Sequence, residues 1–222
     1  MKMERIILSL KSSLKRKNRM EHIQNDGQIK YDDTMGKVIS QYAQDTRFTN
    51  YLEIGTWNGG GSTYCFAKGF ENRKTPFYFK TLEINKERYN EAKEKYKDIS
   101  YIEIYNGSIL KYDDLPDINT FFSLFNINVN WIKEDIYNLI NSDYIELNDN
   151  IPEVVLLDGS EYLTYFEFKQ LYSSTKVFIL DDINTEKCKK IIEELNTSGE
   201  WKCIFCERNE RNGWAAFEKI LI

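Results

Sequence analysis

Four carboxylates stand at or just past the ends of apolar runs: Glu83 after Leu82, Asp158 after Val154-Val155-Leu156-Leu157, and the pair Asp181-Asp182 after Val177-Phe178-Ile179-Leu180. Apolar runs this short, bounded by polar residues, read as strands buried on both faces of a parallel sheet. The carboxyl ends of such strands line the ligand crevice of an open α/β sheet. Asp158, Asp181 and Asp182 aimed at one sheet edge would repel one another unless a cation neutralised them. Hard oxygen donors favour magnesium or calcium in that role. Glu83 is placed to accept the hydroxyls of a ribose. A purely structural alternative is that Asp158, Asp181 and Asp182 cap the helices that follow, and that Glu83 favours the dipole of a helix over 86–97.

The chemistry next to these acids is set by Tyr51-Leu52-Glu53-Ile54-Gly55-Thr56-Trp57-Asn58-Gly59-Gly60-Gly61-Ser62-Thr63, an apolar run feeding a glycine-rich turn that opens a helix. Glycines let the backbone turn sharply and approach a ligand closely, and the free N–H groups of the following helix attract an anionic group. The spacing argues against a nicotinamide dinucleotide, because that fingerprint needs G-x-G-x-x-G and Gly55 is followed by Thr56 and Trp57. A Walker loop is excluded as well, since no Lys-Ser or Lys-Thr follows the last glycine.

Positioning these groups requires alternating elements. Apolar runs at 51–54, 77–84, 101–105, 154–157 and 177–180 alternate with helical patterns at 86–97, 162–172 and 185–195, preceded by one over 33–44. That order predicts an α/β fold with a parallel sheet covered on both faces. Runs at 201–206 and 214–220, joined by the polar turn 207–213, read as a closing antiparallel hairpin. The stretch 111–150 is too long for a simple connection and reads as a helical insertion over the active face.

Composition narrows the function further. The chain has 222 residues, 41% hydrophobic and 14% aromatic, enough for one well-filled core. No apolar stretch approaches the roughly 20 residues of a membrane-spanning helix, and no cleavage site follows Ile6-Ile7-Leu8, so a cytoplasmic location is expected. His22 is the single histidine, which excludes a histidine triad or a multi-histidine metal site. Cys65, Cys188, Cys203 and Cys206 read as unpaired thiols. Residues 1–20 carry seven basic groups against Glu4, leaving 23 basic and 34 acidic residues in the rest, a net of −11. An acidic body disfavours nucleic acid and suits a cationic cofactor such as a sulfonium. Met3, Ile7, Leu10 and Leu14 fall at helical spacing in the basic arm, taken as 1–30, which suits packing on the domain or a homo-oligomer seam more than a membrane surface.

The pattern Glu-x-Gly-x-x-x-Gly-Gly-x-Ser-Thr that begins at Glu53 resembles the first motif of the class I S-adenosylmethionine-dependent methyltransferases. The resemblance implies a Rossmann-like, mostly parallel seven-stranded sheet with a C-terminal antiparallel hairpin, spanning 31–222. It implies S-adenosylmethionine bound by Glu53, Gly55, Thr56, Gly59, Gly61, Ser62 and Asp158, with Glu83 on the ribose and Ser108 beside the adenine. Asp158-Gly159 with Leu180-Asp181-Asp182 is similar to the metal-dependent O-methyltransferases of catechol and macrolide-sugar type. By that similarity Asp158, Asp181 and Asp182 bind magnesium, which holds the acceptor's oxygens. Where sugar-modifying members have Asp-Gly-Asp-His, this chain has Asp158-Gly159-Ser160-Glu161, so Glu161 falls at the position of the relatives' base, with Asp158 beside it. The implied activity is methyl transfer to a hydroxyl of a sugar or glycan. The alternatives are a free small-molecule acceptor, or a non-catalytic binding or assembly module on the same fold, docked through the basic arm.

Overall fold

The computed structural model describes residue 20, residues 22–147 and residues 150–220. The helical spacing at Met3, Ile7, Leu10 and Leu14 lies outside the described residues. The part of the arm that is described does not stand off the domain: Met20, Ile23 and Ile29 are buried in the core.

Seven strands form the main sheet: β1 (Asn50–Ile54), β2 (Tyr78–Leu82), β3 (Glu103–Tyr105), β6 (Val154–Leu157), β7 (Val177–Asp181), β8 (Trp201–Glu207) and β9 (Trp214–Lys219). Their spatial order is β3-β2-β1-β6-β7-β9-β8. The first five run parallel, β9 pairs antiparallel with β7, and β8 closes the edge antiparallel to β9. This is the parallel sheet with terminal hairpin that the apolar runs predict. Order reverses between β1 and β6, whose register sets Ile54 beside Leu157, so the glycine turn and Asp158 leave adjacent strand ends.

The period-2 alternation of strand side chains divides the core into two layers. Val154, Leu156, Val177 and Ile179 face a layer shared with α1 (Thr34–Gln44) and α2 (Ser62–Phe70). Val155, Leu157, Phe178 and Leu180 face α6 (Thr164–Leu171) and α7 (Glu186–Thr197). All eight are fully buried, and each contributes on the order of 2 kcal/mol through removal of apolar surface from water. The helix α3 (Lys86–Lys95) starts where Asn85 accepts the N–H groups of Glu87 and Arg88.

Between β3 and β6 the chain forms β4 (Gly107–Ser108), a 3-10 turn (Tyr112–Asp114), α4 (Ile118–Leu124), α5 (Val129–Ile140) and β5 (Asp143–Tyr144). β4 and β5 pair in a small parallel sheet absent from the sequence expectation. Phe121, Phe125, Ile132 and Leu139 pack there against Tyr162 and Leu163. This third cluster holds α5 beside the strand ends. Among the described residues no helix is long and apolar enough to cross a membrane.

Candidate functional site

At the end of β1 the backbone turns through Gly55 at φ +96°, a conformation that side chains resist. The N–H groups of Gly55 and Thr56 donate to the Leu82 carbonyl at 2.9 and 3.1 Å, tying the turn to the end of β2. A Cβ at Gly55 would run into the backbone carbonyl of Asp158 at the end of β6. Gly55→Ala is therefore expected to lower stability by on the order of 2 to 5 kcal/mol, adding backbone strain to overpacking. Urea unfolding measures it, and a change under about 0.5 kcal/mol would contradict this account.

The rest of the turn is braced by the N-terminal segment. Gly27 N–H and Asn25 Nδ2 both donate to the Gly60 carbonyl, at 3.0 and 2.5 Å, while Lys95 pairs with Asp26 at 2.8 Å. Gly59, at φ +76°, accepts from the Tyr96 hydroxyl at 2.7 Å. No side chain caps α2, so its first N–H groups are left without a side-chain acceptor.

A cavity of about 400 Å³ opens between the ends of β1, β2 and β6 and helix α5. Gly55, Trp57, Glu83, Asn85, Asp135, Asp158 and Glu167 line it. Glu83 accepts the Trp57 N–H at 2.7 Å through Oε2 and the Asn85 N–H at 2.8 Å through Oε1. A carboxylate has about four lone-pair sites, so both oxygens keep capacity for ligand hydroxyls. Burial raises the Glu83 pKa above the ordinary carboxylate value, opposed by these two N–H donors.

Glu53 is placed differently. It is fully buried under the turn, where Oε2 accepts from the hydroxyls of Thr63 and Thr81, both at 2.6 Å, and it lines neither cavity at Asp158. Ser108 is likewise buried and donates to Glu167 Oε1 at 2.8 Å, so Glu167 and Gly107, rather than Ser108, reach the first cavity. Burial pushes Glu53, Asp135 and Glu167 each up to about 7. Each folded pKa lies above its unfolded value of roughly 4, so the folded state holds a proton that the unfolded chain gives up. Their contribution to stability is full below about pH 4, is lost as pH rises to about 7, and changes no further above that. Unfolding across that window should show wild-type stability falling relative to Glu167→Gln, and parallel curves would refute the buried-acid reading.

A second cavity, about 210 Å³, lies on the other side of the turn and is lined by Gln28, Ile29, Gly55, Thr56, Trp57, Gly61, Ser62, Asp158, Asp182 and Lys187. The two cavities share Gly55, Trp57 and Asp158. Asp158, Asp181 and Asp182 do converge here, each offering a carboxylate oxygen within 4.8 Å of the others. They are not helix caps: Thr185 caps α7 by accepting the Lys187 N–H, and α6 has Leu163 at its N-cap with no side-chain cap.

Two side-chain cations stand against these acids. Lys187 Nζ lies 2.8 Å from Asp158 Oδ1 and 2.6 Å from Asp182 Oδ2. Arg211, from the turn before β9, places Nη2 at 2.6 Å from Asp181 Oδ1. Burial pushes the Asp158 carboxyl up to about 7, with Lys187 pulling the other way and Asp181 adding to the rise. Burial also acts to raise Asp182, but Lys187 and Asn212 outweigh it and hold the group below its ordinary value. Lys187 is pushed up because its two carboxylates outweigh burial. Asp182 holds φ +55°, unusual for a residue with a side chain.

Sequence reasoning missed both cations. A signal existed for Lys187, since a lysine in the first turn of a helix opposes the helix dipole and needs a local reason to be there. Glu161 turns away from the cavities. Its Oε1 accepts the Lys187 backbone N–H at 3.2 Å, and its side chain lines a separate shallow groove with Asn128, Trp131 and Thr185.

No family model matches the chain, and no curated protein matches it. Solved structures do match. An O-methyltransferase from Bacillus cereus in complex with SAH is similar at 17% identity, with 85% of this chain and 82% of that chain covered and a TM-score of 0.54. The O-methyltransferase TomG from Streptomyces achromogenes, involved in tomaymycin synthesis and in complex with SAM, is similar at 12% identity over 84% and 79%, with a TM-score of 0.56. The SAH-bound methyltransferase PaMTH1 from Podospora anserina is similar at 13% identity over 84% and 78%, with a TM-score of 0.52. The chain therefore has the Rossmann-like fold of the class I methyltransferases.

Proposed function

We propose that the chain is an S-adenosylmethionine-dependent O-methyltransferase acting on a hydroxyl of a small acceptor. The observation that carries this reading is the pair of cavities meeting at Gly55, Trp57 and Asp158, which gives a donor and an acceptor one shared wall. The first cavity suits the cofactor. Its volume of about 400 Å³ is in the range of small-ligand sites, it ends on the Glu83 carboxylate for a ribose, and its acidic lining favours a cation.

When bound there, the cofactor supplies an electrophilic methyl group on a sulfonium. Gly55 and Trp57 fix the approach, since the turn between them is pinned to β2 and to Glu83. The acceptor hydroxyl is placed in the second cavity against Asp158, which takes the proton as the oxygen gains the methyl group. Glu161 is not used as the base, because its carboxylate sits in a different groove. Magnesium has no step in this reading. Its oxygen donors are present, but an ammonium and a guanidinium already counter their charge, so the set does not fit a divalent ion.

A sugar hydroxyl is the acceptor favoured here. Gln28, Ser62, Asp182 and Lys187 offer hydrogen-bond partners to several hydroxyls, and the partly exposed Trp57 indole offers an apolar face. Calorimetry with S-adenosylhomocysteine should give a Kd on the order of 1 to 100 μM. Transfer of labelled methyl to sugars should exceed transfer to catechols. Binding without transfer to any hydroxyl would support a non-catalytic module, and preference for catechols would favour a free aromatic diol as acceptor.

A further inference from the structure

We propose that Lys187 is the built-in cation of the acidic centre. Its ammonium occupies the place among Asp158, Asp181 and Asp182 that a divalent metal would need, and it presents its remaining N–H to an acceptor oxygen in the second cavity. The acceptor clause rests on the function proposed above, whereas the exclusion of metal stands on the centre itself.

The geometry carries it. An ammonium has three donors, and two are used at 2.8 Å on Asp158 and 2.6 Å on Asp182. No third acceptor is recorded among the described residues, and Lys187 lines the second cavity together with Asp158 and Asp182. The third carboxylate, Asp181, is engaged by Arg211, which also reaches Asp33 at 3.5 Å. With Asp33 also drawn to Arg211, the acids around these two cations outnumber them. A divalent ion would have to displace the ammonium from both carboxylates, leaving Lys187 charged, 8% exposed and without a partner. That is a strongly unfavourable state for a buried cation.

The position of Lys187 makes the same point. The first turn of α7 is where the helix dipole repels a cation, so the residue gains nothing from its helix and is held by the two carboxylates alone. Arginine could not serve equally, because its planar fork is bulkier than the compact ammonium that sits between two acids. In this reading Lys187 positions the acceptor by a charge-assisted hydrogen bond, as a coordinating metal would by a bond to oxygen.

The test is manganese(II) binding, followed by the loss of its free spin-resonance signal and by calorimetry, on the whole chain without added acceptor. The wild type is expected to bind no manganese at about 1 mM, a level at which only sites with Kd well above it stay empty. Lys187→Ala and Lys187→Gln, two variants so that misfolding of one does not decide the matter, should bind one equivalent at least roughly tenfold more tightly than the wild type. Adding Asp158→Asn to either should abolish the gain. One manganese bound by the wild type and lost in Asp181→Asn would overturn the proposal. So would folded Lys187 variants that gain no site. Because the readout needs neither cofactor nor turnover, its failure is separate from failure of the methyltransferase reading, which calorimetry with S-adenosylhomocysteine decides.

Discussion

Asp158→Asn is expected to lower methyl-transfer turnover by roughly 100- to 10,000-fold, the range associated with loss of a positioned general base. Asparagine keeps the size of the side chain, and its amide oxygen can still accept from Lys187, which lies 2.8 Å from Asp158 Oδ1. It cannot take the proton of the acceptor hydroxyl. Cofactor binding should move little, because the proposed ribose contact is Glu83 at the end of β2, two strands from β6. Glu161→Gln is the comparison. Glu161 touches the backbone of Lys187 and lines another groove, so its effect should stay within about threefold. Single-turnover rates with matched thermal stability give the answer. Equal losses in the two variants would return the base to Glu161, and full activity in Asp158→Asn would send the proton directly to water.

Much of the fold follows from apolar runs whose length and spacing report burial. Val154 to Leu157 and Val177 to Leu180 are apolar at every position because helices cover both faces, which is why the sequence identifies them as central strands. The hairpin shows the opposite case: Trp201 to Glu207 pairs only with β9 at the sheet edge and carries exposed residues along most of its length. The meeting of Asp158, Asp181 and Asp182 was also legible, because acids released at the ends of adjacent parallel strands share one sheet edge.

What periodicity does not encode is which distant group turns back to meet them. Arg211 reaches Asp181 from a turn before the last strand, and Lys187 reaches Asp158 from a helix that follows a different strand. The sequence argument that three acids need a cation was sound as electrostatics. It named an external ion alone, since Lys187 and Arg211 lie on elements whose facing direction the pattern leaves open. Glu161 is a related case. Its place after Asp158 suggested a shared site, yet the chain continues into the turn before α6 and aims that carboxylate at the start of α7. Asp135 and Glu167, both lining the first cavity, come from helices where a charged residue ordinarily signals a solvated face.

If Glu83 holds the ribose as proposed, Glu83→Ala should weaken S-adenosylhomocysteine by roughly 100- to 10,000-fold, since two charge-assisted hydrogen bonds are worth on the order of 1.5 to 3 kcal/mol each. The same carboxylate has a second duty in the free protein: it holds the Trp57 N–H at 2.7 Å and the Asn85 N–H at 2.8 Å, fixing both the glycine turn and the start of α3. Alanine therefore loses affinity through the ribose and through a loosened turn together. Glu83→Gln separates the two. Its amide oxygen can keep one of the backbone donors, while its nitrogen cannot accept a hydroxyl, so stability should recover more than affinity does. Calorimetry against S-adenosylhomocysteine and adenosine, with thermal unfolding of the free protein, resolves these contributions. If both variants bound S-adenosylhomocysteine as the wild type does, the ribose would lie elsewhere and Glu83 would be a structural clasp of the turn. If Gln matched wild-type affinity while Ala lost it, the turn rather than the ribose contact would account for the loss.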